Sequence, residues 1–181
     1  MESRVTLAFV VLSISCGLLY WAWTSVDADG GAPPPLTEMD LADGEMLLEF
    51  ERLASYTFDY ETPKKPGGPE TGIPDEILAL HGEKVAIQGH FSPLLDEQDR
   101  VTEGMLSRYP GACCFGQFPL ITEIVWVKMK QPELMAFAWD ATVLVRGTFK
   151  VEVVRNRFGY VEHIYGIDAD VVEDRTNAAA R

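Results

Sequence analysis

The spacing of apolar residues divides the chain into regions with different periods. An uncharged, apolar run of 22 residues, Val5–Val26, comes first. Leu47, Phe50 and Leu53 then recur at helical spacing, which predicts a short helix. From Lys84 onward apolar residues occupy every second position, as in half-buried strands. The pattern therefore predicts one membrane-length segment followed by a mainly β domain.

Five segments of the domain have the strand period. They read KVAIQGHF, VTEGMLSRY, EIVWVKM, ATVLVRGTFKVEVV and YVEHIYGIDADVV. Pro93 is expected to end the first strand, because proline cannot donate to a strand ladder. Gly147, at the centre of the fourth strand, predicts a bend or a bulge.

Two further short helices are predicted around these strands. Pro74 opens one, acidic residues occupy its first turn, and Gly82 closes it, so that Ile77, Leu78 and Leu80 pack inward. The other is the segment QPELMAFAW, between the third and fourth strands. Five strands with a helix at that place favour a small five-stranded OB-like barrel with one or two short helices. An immunoglobulin-like sandwich needs about seven strands.

The N-terminal run is long enough to cross a bilayer, since 22 residues at helical rise extend about 33 Å. Arg4 before the run and acids after it favour a single pass through the inner (cytoplasmic) membrane. The C-terminal domain would then lie in the periplasm or outside the cell. A cleaved signal peptide and a lipoprotein signal acylated at Cys16 are the alternatives. The run lacks a small-residue cleavage site, and an apolar stretch continues beyond Cys16.

The charge distribution excludes one class of partner and sets the domain boundaries. The formal net charge is −13, which repels phosphate backbones and argues against nucleic acid as a partner. Ten acids and one basic residue, Arg52, lie between Asp27 and Glu61. We therefore expect a signal anchor over 1–26, an acidic Pro-rich linker over 27–46, the OB-like domain over 47–173 and a flexible tail over 174–181.

Several segments together resemble the Domain-of-Unknown-Function 3299 family of bacterial proteins. They are LASYTFDY, IPDEILALHGEKVAIQGHFSPL, CCFG, EIVWVKM, VLVRGTFKVEV and YGIDADVV, within residues 47–172. The resemblance implies an exported or membrane-anchored protein with an OB-like fold, and it implies no particular activity. This chain departs from the pattern at His90 and Phe91, because many members have Met in that turn.

The adjacent cysteines Cys113 and Cys114 are the main candidates for chemistry. With His90 and His163 they would supply soft thiolate and imidazole ligands for zinc or, with fewer ligands, copper. Adjacent cysteines are poorly spaced for chelating one ion, so two alternatives stand beside this hypothesis. A strained vicinal disulfide would suit an oxidising compartment, and because strain makes the bond more reducible, it would serve either as structure or as a redox couple. Burial as small apolar side chains would keep both thiols inert.

The common catalytic signatures are missing from the sequence. It contains no Gly-rich phosphate loop, G-x-S-x-G elbow, H-E-x-x-H or C-x-x-C. We therefore expect a non-enzymatic, membrane-anchored accessory protein that binds a partner or small ligand and serves a transporter or envelope complex. A metal-handling domain that uses Cys113 and Cys114 is the alternative.

Overall fold

A computed structural model describes residues 36–37, 41–60, 72–111, 118–134 and 139–176. The chain divides into two units, Met1–Ala32 and Pro33–Arg181, and all described residues belong to the second. The predicted anchor, Val5–Val26, and the cysteines Cys113 and Cys114 lie outside the described residues. Within the described ranges, no helix is both long and apolar enough to cross a membrane.

The described part of the chain is mainly β sheet, with six strands and a few short helices. The strands are β1 (Met46–Leu47), β2 (Lys84–Leu95), β3 (Arg100–Ser107), β4 (Ile124–Leu134), β5 (Ala141–Arg155) and β6 (Val161–Asp174). The helices are α1 (Phe50–Leu53), α2 (Asp75–Leu78) and a 3-10 helix, Ile121–Glu123. The predicted mainly β class is confirmed, and the strand count of five was one short.

The six strands form one sheet in the order β1-β2-β3-β4-β6-β5, and β2 also pairs with β5. Neighbouring strands are antiparallel except for the parallel pairs β1–β2 and β4–β6. The sheet is not a clean barrel. The short β1 adds beside β2, and the register shifts within the β2–β3, β3–β4 and β5–β6 pairs.

The core is formed by the inward-facing side chains of the sheet. On β5 the inward positions are Val143, Val145, Gly147, Phe149 and Val151, all buried, as the alternation predicts. The largest fully buried side chains of the described residues are Tyr165, Phe91, Phe149, Leu48, Leu53, Ile77, Ile87, Leu106, Leu144, Ile164, Ile167 and Val85.

Helix α1 covers part of this core and is attached to it by specific contacts. Phe50 and Leu53 are buried. A Cβ at Gly89 would lie 2.9 Å from Phe50 Cε2, so only glycine leaves room for that ring. The hydroxyl of Tyr165 donates to the Leu53 carbonyl at 3.0 Å and lies 2.9 Å from the Tyr56 hydroxyl.

The predicted helix after Pro74 is present but short. Pro74 occupies the N-cap position, α2 covers four residues, and Gly82 has φ +90°. Ile77 and Leu80 are buried and Leu78 packs against the core, as predicted.

Pro93 does not end β2, contrary to the sequence prediction. The strand continues to Leu95, and Pro93 pairs with Gly104 of β3. Odd-numbered residues of β2 direct their backbone groups toward β5, as the bond from Asp140 N–H to the Phe91 carbonyl demonstrates. Pairing with β5 stops at Phe91, so the missing N–H of Pro93 faces a side where no β5 partner remains.

The helix predicted over QPELMAFAW is wrong for its first four residues. Gln131 to Leu134 belong to β4, and Glu133 pairs with Val101 of β3. Pro132 is compatible with this strand because the register of β3 and β4 shifts between Val101 and Glu103. Residues 135–138 lie outside the described ranges.

The bulge predicted at Gly147 is confirmed. Arg146 pairs with Val171 and Gly147 with Ala169, which leaves Asp170 as the extra residue. The Asp170 carboxylate forms ion pairs with Lys84, at 2.6 Å, and with Lys130. These two hydrogen bonds, that of Lys130 first, lower the pKa of Asp170 below its ordinary value.

Candidate functional site

A cleft of about 190 Å³ lies beside β2 and is the candidate binding site. It forms where the neighbour of β2 changes, since β1 pairs with Val85 and Ala86 while β3 pairs only from His90. The lining residues are Leu36, Leu47, Leu48, Glu49, Phe50, Glu51, Gln88 and Arg108. We call these eight residues the β2 cleft.

Gln88 and Arg108 supply polar groups to the β2 cleft. The side-chain oxygen of Gln88 is buried and has no hydrogen-bond partner within the described part of the chain. Arg108 donates to Glu51 at 2.7 Å and to Glu123 at 3.3 Å. Burial alone lowers the pKa of Arg108, but its hydrogen bond and charge interaction with Glu51 raise the pKa above its ordinary value.

These groups suit binding better than proton transfer. An arginine with a raised pKa stays charged across the physiological range and does not act as an acid or base there. A guanidinium can hold a carboxylate or phosphate in a planar, two-pronged geometry. Glu51 is largely exposed while Glu123 is mostly buried, so a ligand could replace Glu51 and leave Arg108 supported by Glu123.

His90 lies on β2, two residues after Gln88 on the same face of the strand. It pairs with Ser107 of β3 and with Thr142 of β5. Its Nδ1 atom is buried and has no hydrogen-bond partner within the described ranges. A buried ring nitrogen without a partner is uncommon, since most buried polar atoms are hydrogen-bonded.

His163 lies on β6, in a different environment. Its ring stacks on Trp126 of β4, with centroids 5.6 Å apart and planes 12° from parallel. The indole N–H of Trp126 donates to Glu103 at 3.0 Å. Burial lowers the pKa of His163, against the opposing charges of Glu152, Glu162 and Glu103, so the ring is held neutral.

The structure does not bring the two histidines together. His90 pairs with Thr142, at the start of β5, whereas His163 pairs with Val154, near its end. Of the residues that the structure describes, no group of three or more His, Cys, Asp or Glu could hold a metal ion. Cys113 and Cys114, the other two predicted ligands, lie outside those residues.

Sequence reasoning missed Gln88 and Arg108. The alternation in KVAIQGHF places Gln88 and His90 on the face of β2 opposite Ile87, and this signal was available. The meeting of Arg108 and Gln88 at one cleft depends on how β1 and α1 pass along β2. The two residues of β1 are too few to give a periodic signal, and the spacing that predicts α1 does not indicate which strand it packs on.

Comparison with known proteins gives a family. The model of the family described as "Protein of unknown function (DUF3299)" matches residues 74–174, more than half of the chain. No curated protein matches the chain. The structure defines a mainly β domain with a cleft beside its first long strand. Because the family model matches more than half of its length, the chain belongs to the uncharacterised DUF3299 family.

Two solved structures are similar to this chain. A DUF3299 family protein from Pseudomonas aeruginosa PAO1 is 23% identical with a TM-score of 0.50, over 72% of this chain and 95% of that one. A putative aspartyl-tRNA synthetase from Leishmania major Friedlin is 8% identical with a TM-score of 0.39, over 78% of this chain and 23% of that one. The first likeness concerns the fold alone, and the second is too distant to support an argument.

Proposed function

We propose that this protein is a membrane-anchored, extracytoplasmic binding protein that serves a transporter or envelope complex and catalyses no reaction itself. The observation that carries the proposal is the β2 cleft, which is lined by the charged Arg108 and by Gln88, whose buried oxygen has no partner among the described residues. The uncharged run Val5–Val26 supports the anchor, because it is long enough to cross a bilayer.

We also propose that the five longer strands form an OB-like barrel. Each of them pairs with two others, in the closed order β2-β3-β4-β6-β5-β2. This order covers part of each strand's two edges, which is how small barrels limit edge-to-edge association. Barrels of this type bind ligands on strand faces and connecting loops, so a cleft beside the first long strand suits a binding role.

Site-directed crosslinking tests the binding role at the β2 cleft. A photo-crosslinking residue replaces Leu47, which lines the cleft, in the full chain in intact membranes. We expect an adduct with one defined envelope or transporter component. Gln88→Leu should weaken that adduct several-fold, because it removes the polar group at the cleft.

The matched control for the crosslinking is Gln131→Leu, since Gln131 is an exposed residue of β4 outside the β2 cleft. This variant should leave the adduct unchanged. An adduct equally weakened by both variants would contradict a role for the cleft. The absence of any adduct, together with a purified full chain that binds none of the envelope components, would contradict the binding role.

The anchor and its orientation are tested separately. We expect the full chain to remain in the membrane fraction after alkaline carbonate extraction. We also expect protease added outside spheroplasts to digest the β domain. A chain released by carbonate, or one protected from external protease, would contradict the proposed localisation without bearing on the cleft.

Metal handling is the second candidate function, and it is favoured by the buried Nδ1 of His90, which has no hydrogen-bond partner in the part of the chain that the structure describes. A neutral imidazole nitrogen is a common ligand for zinc and copper, and thiolates from Cys113 and Cys114 would complete a soft set. Native mass spectrometry of the full chain in detergent, purified without chelator or reductant, tests this candidate. Bound metal that is lost in Cys113→Ser/Cys114→Ser and in His90→Asn would support it.

Other masses give other conclusions about the cysteines. A metal-free mass lower than that of the reduced chain by two hydrogen atoms would indicate a disulfide. A metal-free mass with all thiols intact would indicate buried thiols. Either result would contradict metal handling.

A further inference from the structure

The turn between β5 and β6 carries two exposed aromatic residues, Phe158 and Tyr160, two positions apart in the chain. Phe158 is 70% exposed and Tyr160 is 72% exposed, among the most exposed large apolar residues of the described ranges. Single exposed apolar residues are common, but neighbouring ones at a loop tip are more often part of an interaction surface. We call residues 156–160, with Arg155, the β5–β6 tip.

The backbone of the β5–β6 tip is held in one conformation. The Asn156 side-chain oxygen accepts hydrogen bonds from the backbone N–H groups of Phe158, at 2.9 Å, and Tyr160, at 3.1 Å. Gly159 has φ +86°, a conformation that side chains disfavour. The Arg155 guanidinium donates to the Gly159 carbonyl at 3.1 Å.

This order has a consequence for binding. The two rings are presented by a turn that is already fixed, so a bound state would cost little further ordering of the backbone. A loop with no role in contact would gain nothing from aromatic side chains held in solvent. The geometry therefore suits a preorganised contact element.

The charge of the β5–β6 tip indicates what it contacts. Between Arg155 and Tyr160 there are two arginines and no acid, in a chain whose formal net charge is −13. The Arg157 guanidinium carbon lies 4.7 Å from the centre of the Phe158 ring, so one cation and one aromatic ring form a single surface. Arginine binds phosphate well, and amphipathic aromatic rings favour the headgroup region of a bilayer.

We propose that the β5–β6 tip binds the headgroup interface of a phospholipid bilayer. Phe158 and Tyr160 would lie at the level of the headgroups, and Arg157 would contact lipid phosphates. The inference rests on the proposed membrane anchoring, which would keep the domain near a bilayer. It adds a second attachment of the same chain, so that the β domain is held against the membrane at a defined face.

Photo-crosslinking at single positions tests this inference. The full chain is reconstituted into vesicles of phosphatidylethanolamine and phosphatidylglycerol, with p-benzoylphenylalanine in place of Phe158 or of Tyr160. The matched control carries p-benzoylphenylalanine in place of Leu94, which is also exposed (44%). Leu94 lies on β2, next to the turn that joins β2 to β3, and is not part of the β5–β6 tip. Intact-mass spectrometry then measures lipid adducts.

We expect lipid adducts at positions 158 and 160 at least several-fold above those at position 94. Arg157→Glu should lower the adduct yield at position 160, because it places a carboxylate next to lipid phosphates. A yield at 158 and 160 no higher than at 94 would overturn the proposal. The proposal would also be overturned if the adducts formed in native membranes consisted of this chain with a second protein and without lipid, since the tip would then be a protein-binding element.

The outcomes separate this inference from the proposed function. If the chain is lost from vesicles on carbonate extraction, anchoring itself has failed. If the chain remains in the vesicles and position 158 gives no lipid adduct, anchoring stands and the contact by the β5–β6 tip is wrong.

Discussion

At the scale of single residues, Gly147 is required by close packing between strands. A Cβ at this position would overlap the Asp168 carbonyl and lie 2.9 Å from the Ala169 Cα atom, and neither is the end of a flexible side chain. The close approach of β5 and β6 occurs at the bulge, where Asp170 is the extra residue of β6. Both ion pairs of Asp170, with Lys84 and Lys130, depend on the same bulge.

We predict that Gly147→Ala lowers the free energy of unfolding by about 1–3 kcal/mol, the usual cost of overpacking. Chemical denaturation of the full chain in detergent, followed by circular dichroism, measures this. Gly166→Ala is the matched control, because its new Cβ would have no atom closer than 3.6 Å. Both changes restrict the unfolded chain equally, so equal stability of the two variants would contradict the packing argument.

The pKa of His163 predicts how stability depends on pH. Burial lowers the pKa of the folded ring below its ordinary value of about 6.5, so the unfolded chain binds a proton more readily. The free energy of unfolding should therefore fall as pH falls below about 6.5, through protonation of the unfolded state. The three facing carboxylates, Glu152, Glu162 and Glu103, oppose this effect but do not reverse it.

The measurement compares the wild type with His163→Gln between about pH 7.5 and pH 5, where an unperturbed histidine titrates. We expect the variant to lose less stability over this range, while carboxylates common to both proteins cancel in the comparison. Tryptophan fluorescence, to which Trp126 contributes from its position stacked on His163, gives a second readout. A wild type and variant with the same pH dependence would contradict the shifted pKa.

At the scale of the elements, helix α1 has only four residues and is held by its contacts rather than by its own hydrogen bonds. Isolated helices of this length are unstable in water. Phe50 and Leu53 bury apolar surface, and Tyr165 of β6 satisfies the Leu53 carbonyl. The hydroxyl of Tyr165 thus attaches the start of the domain to its last strand.

We predict that Tyr165→Phe lowers the free energy of unfolding by about 1–3 kcal/mol, because the buried Leu53 carbonyl loses its donor. Denaturation under the conditions used for Gly147→Ala measures the change. Tyr109→Phe is the control, since Tyr109 is half exposed and should change stability little. Tyr56→Phe combined with Tyr165→Phe should cost less than the sum of the two, since the hydroxyls contact each other. Strict additivity would contradict this coupling.

The sequence predicts the long strands and the first two helices, and it misses the shortest strand. The five long strands were identified because alternation over seven or more residues is a strong signal, as on β5 from Val143 to Val151. The two-residue β1 gives no such signal. The boundary predicted at Pro74 is confirmed, whereas the one predicted at Pro93 is wrong, since Pro93 lies within a strand at a position where the ladder does not need its N–H.

The candidate site was less predictable than the strands. His90 and His163 were selected by residue type and by their place on the first and fifth predicted strands, but strand pairing places them at opposite ends of β5. The β2 cleft combines Gln88 with Arg108 and Glu51, residues up to 57 positions apart, so it depends on long-range pairing. Residue type and local period contain no information about such distant contacts.

At the scale of the whole molecule, strand β5 is the most fully paired element. From Val143 to Thr148 it is paired with β2 on one side and with β6 on the other. β1 has a ladder of only two residues on one partner. Local opening should therefore be costly at the centre of β5 and easy at β1.

We predict that backbone amides of Val143 to Thr148 exchange with deuterium more slowly than those of Met46 and Leu47, by several orders of magnitude. Hydrogen-exchange mass spectrometry of the full chain in detergent measures this. Variants that destabilise the whole domain, such as Gly147→Ala, should speed exchange at the centre of β5. Equal protection of β1 and β5 would contradict the ranking by strand pairing.

The bond between Tyr165 and Leu53 spans 112 positions of the chain, and this has a consequence for how the protein is made. During synthesis the α1 segment emerges first, while the strand that holds it emerges last. Until residue 165 has been made, Phe50 and Leu53 have no complete core to enter and stay open to chaperones and proteases. A chain that stalls before β6 is therefore expected to be degraded, so that only complete molecules persist.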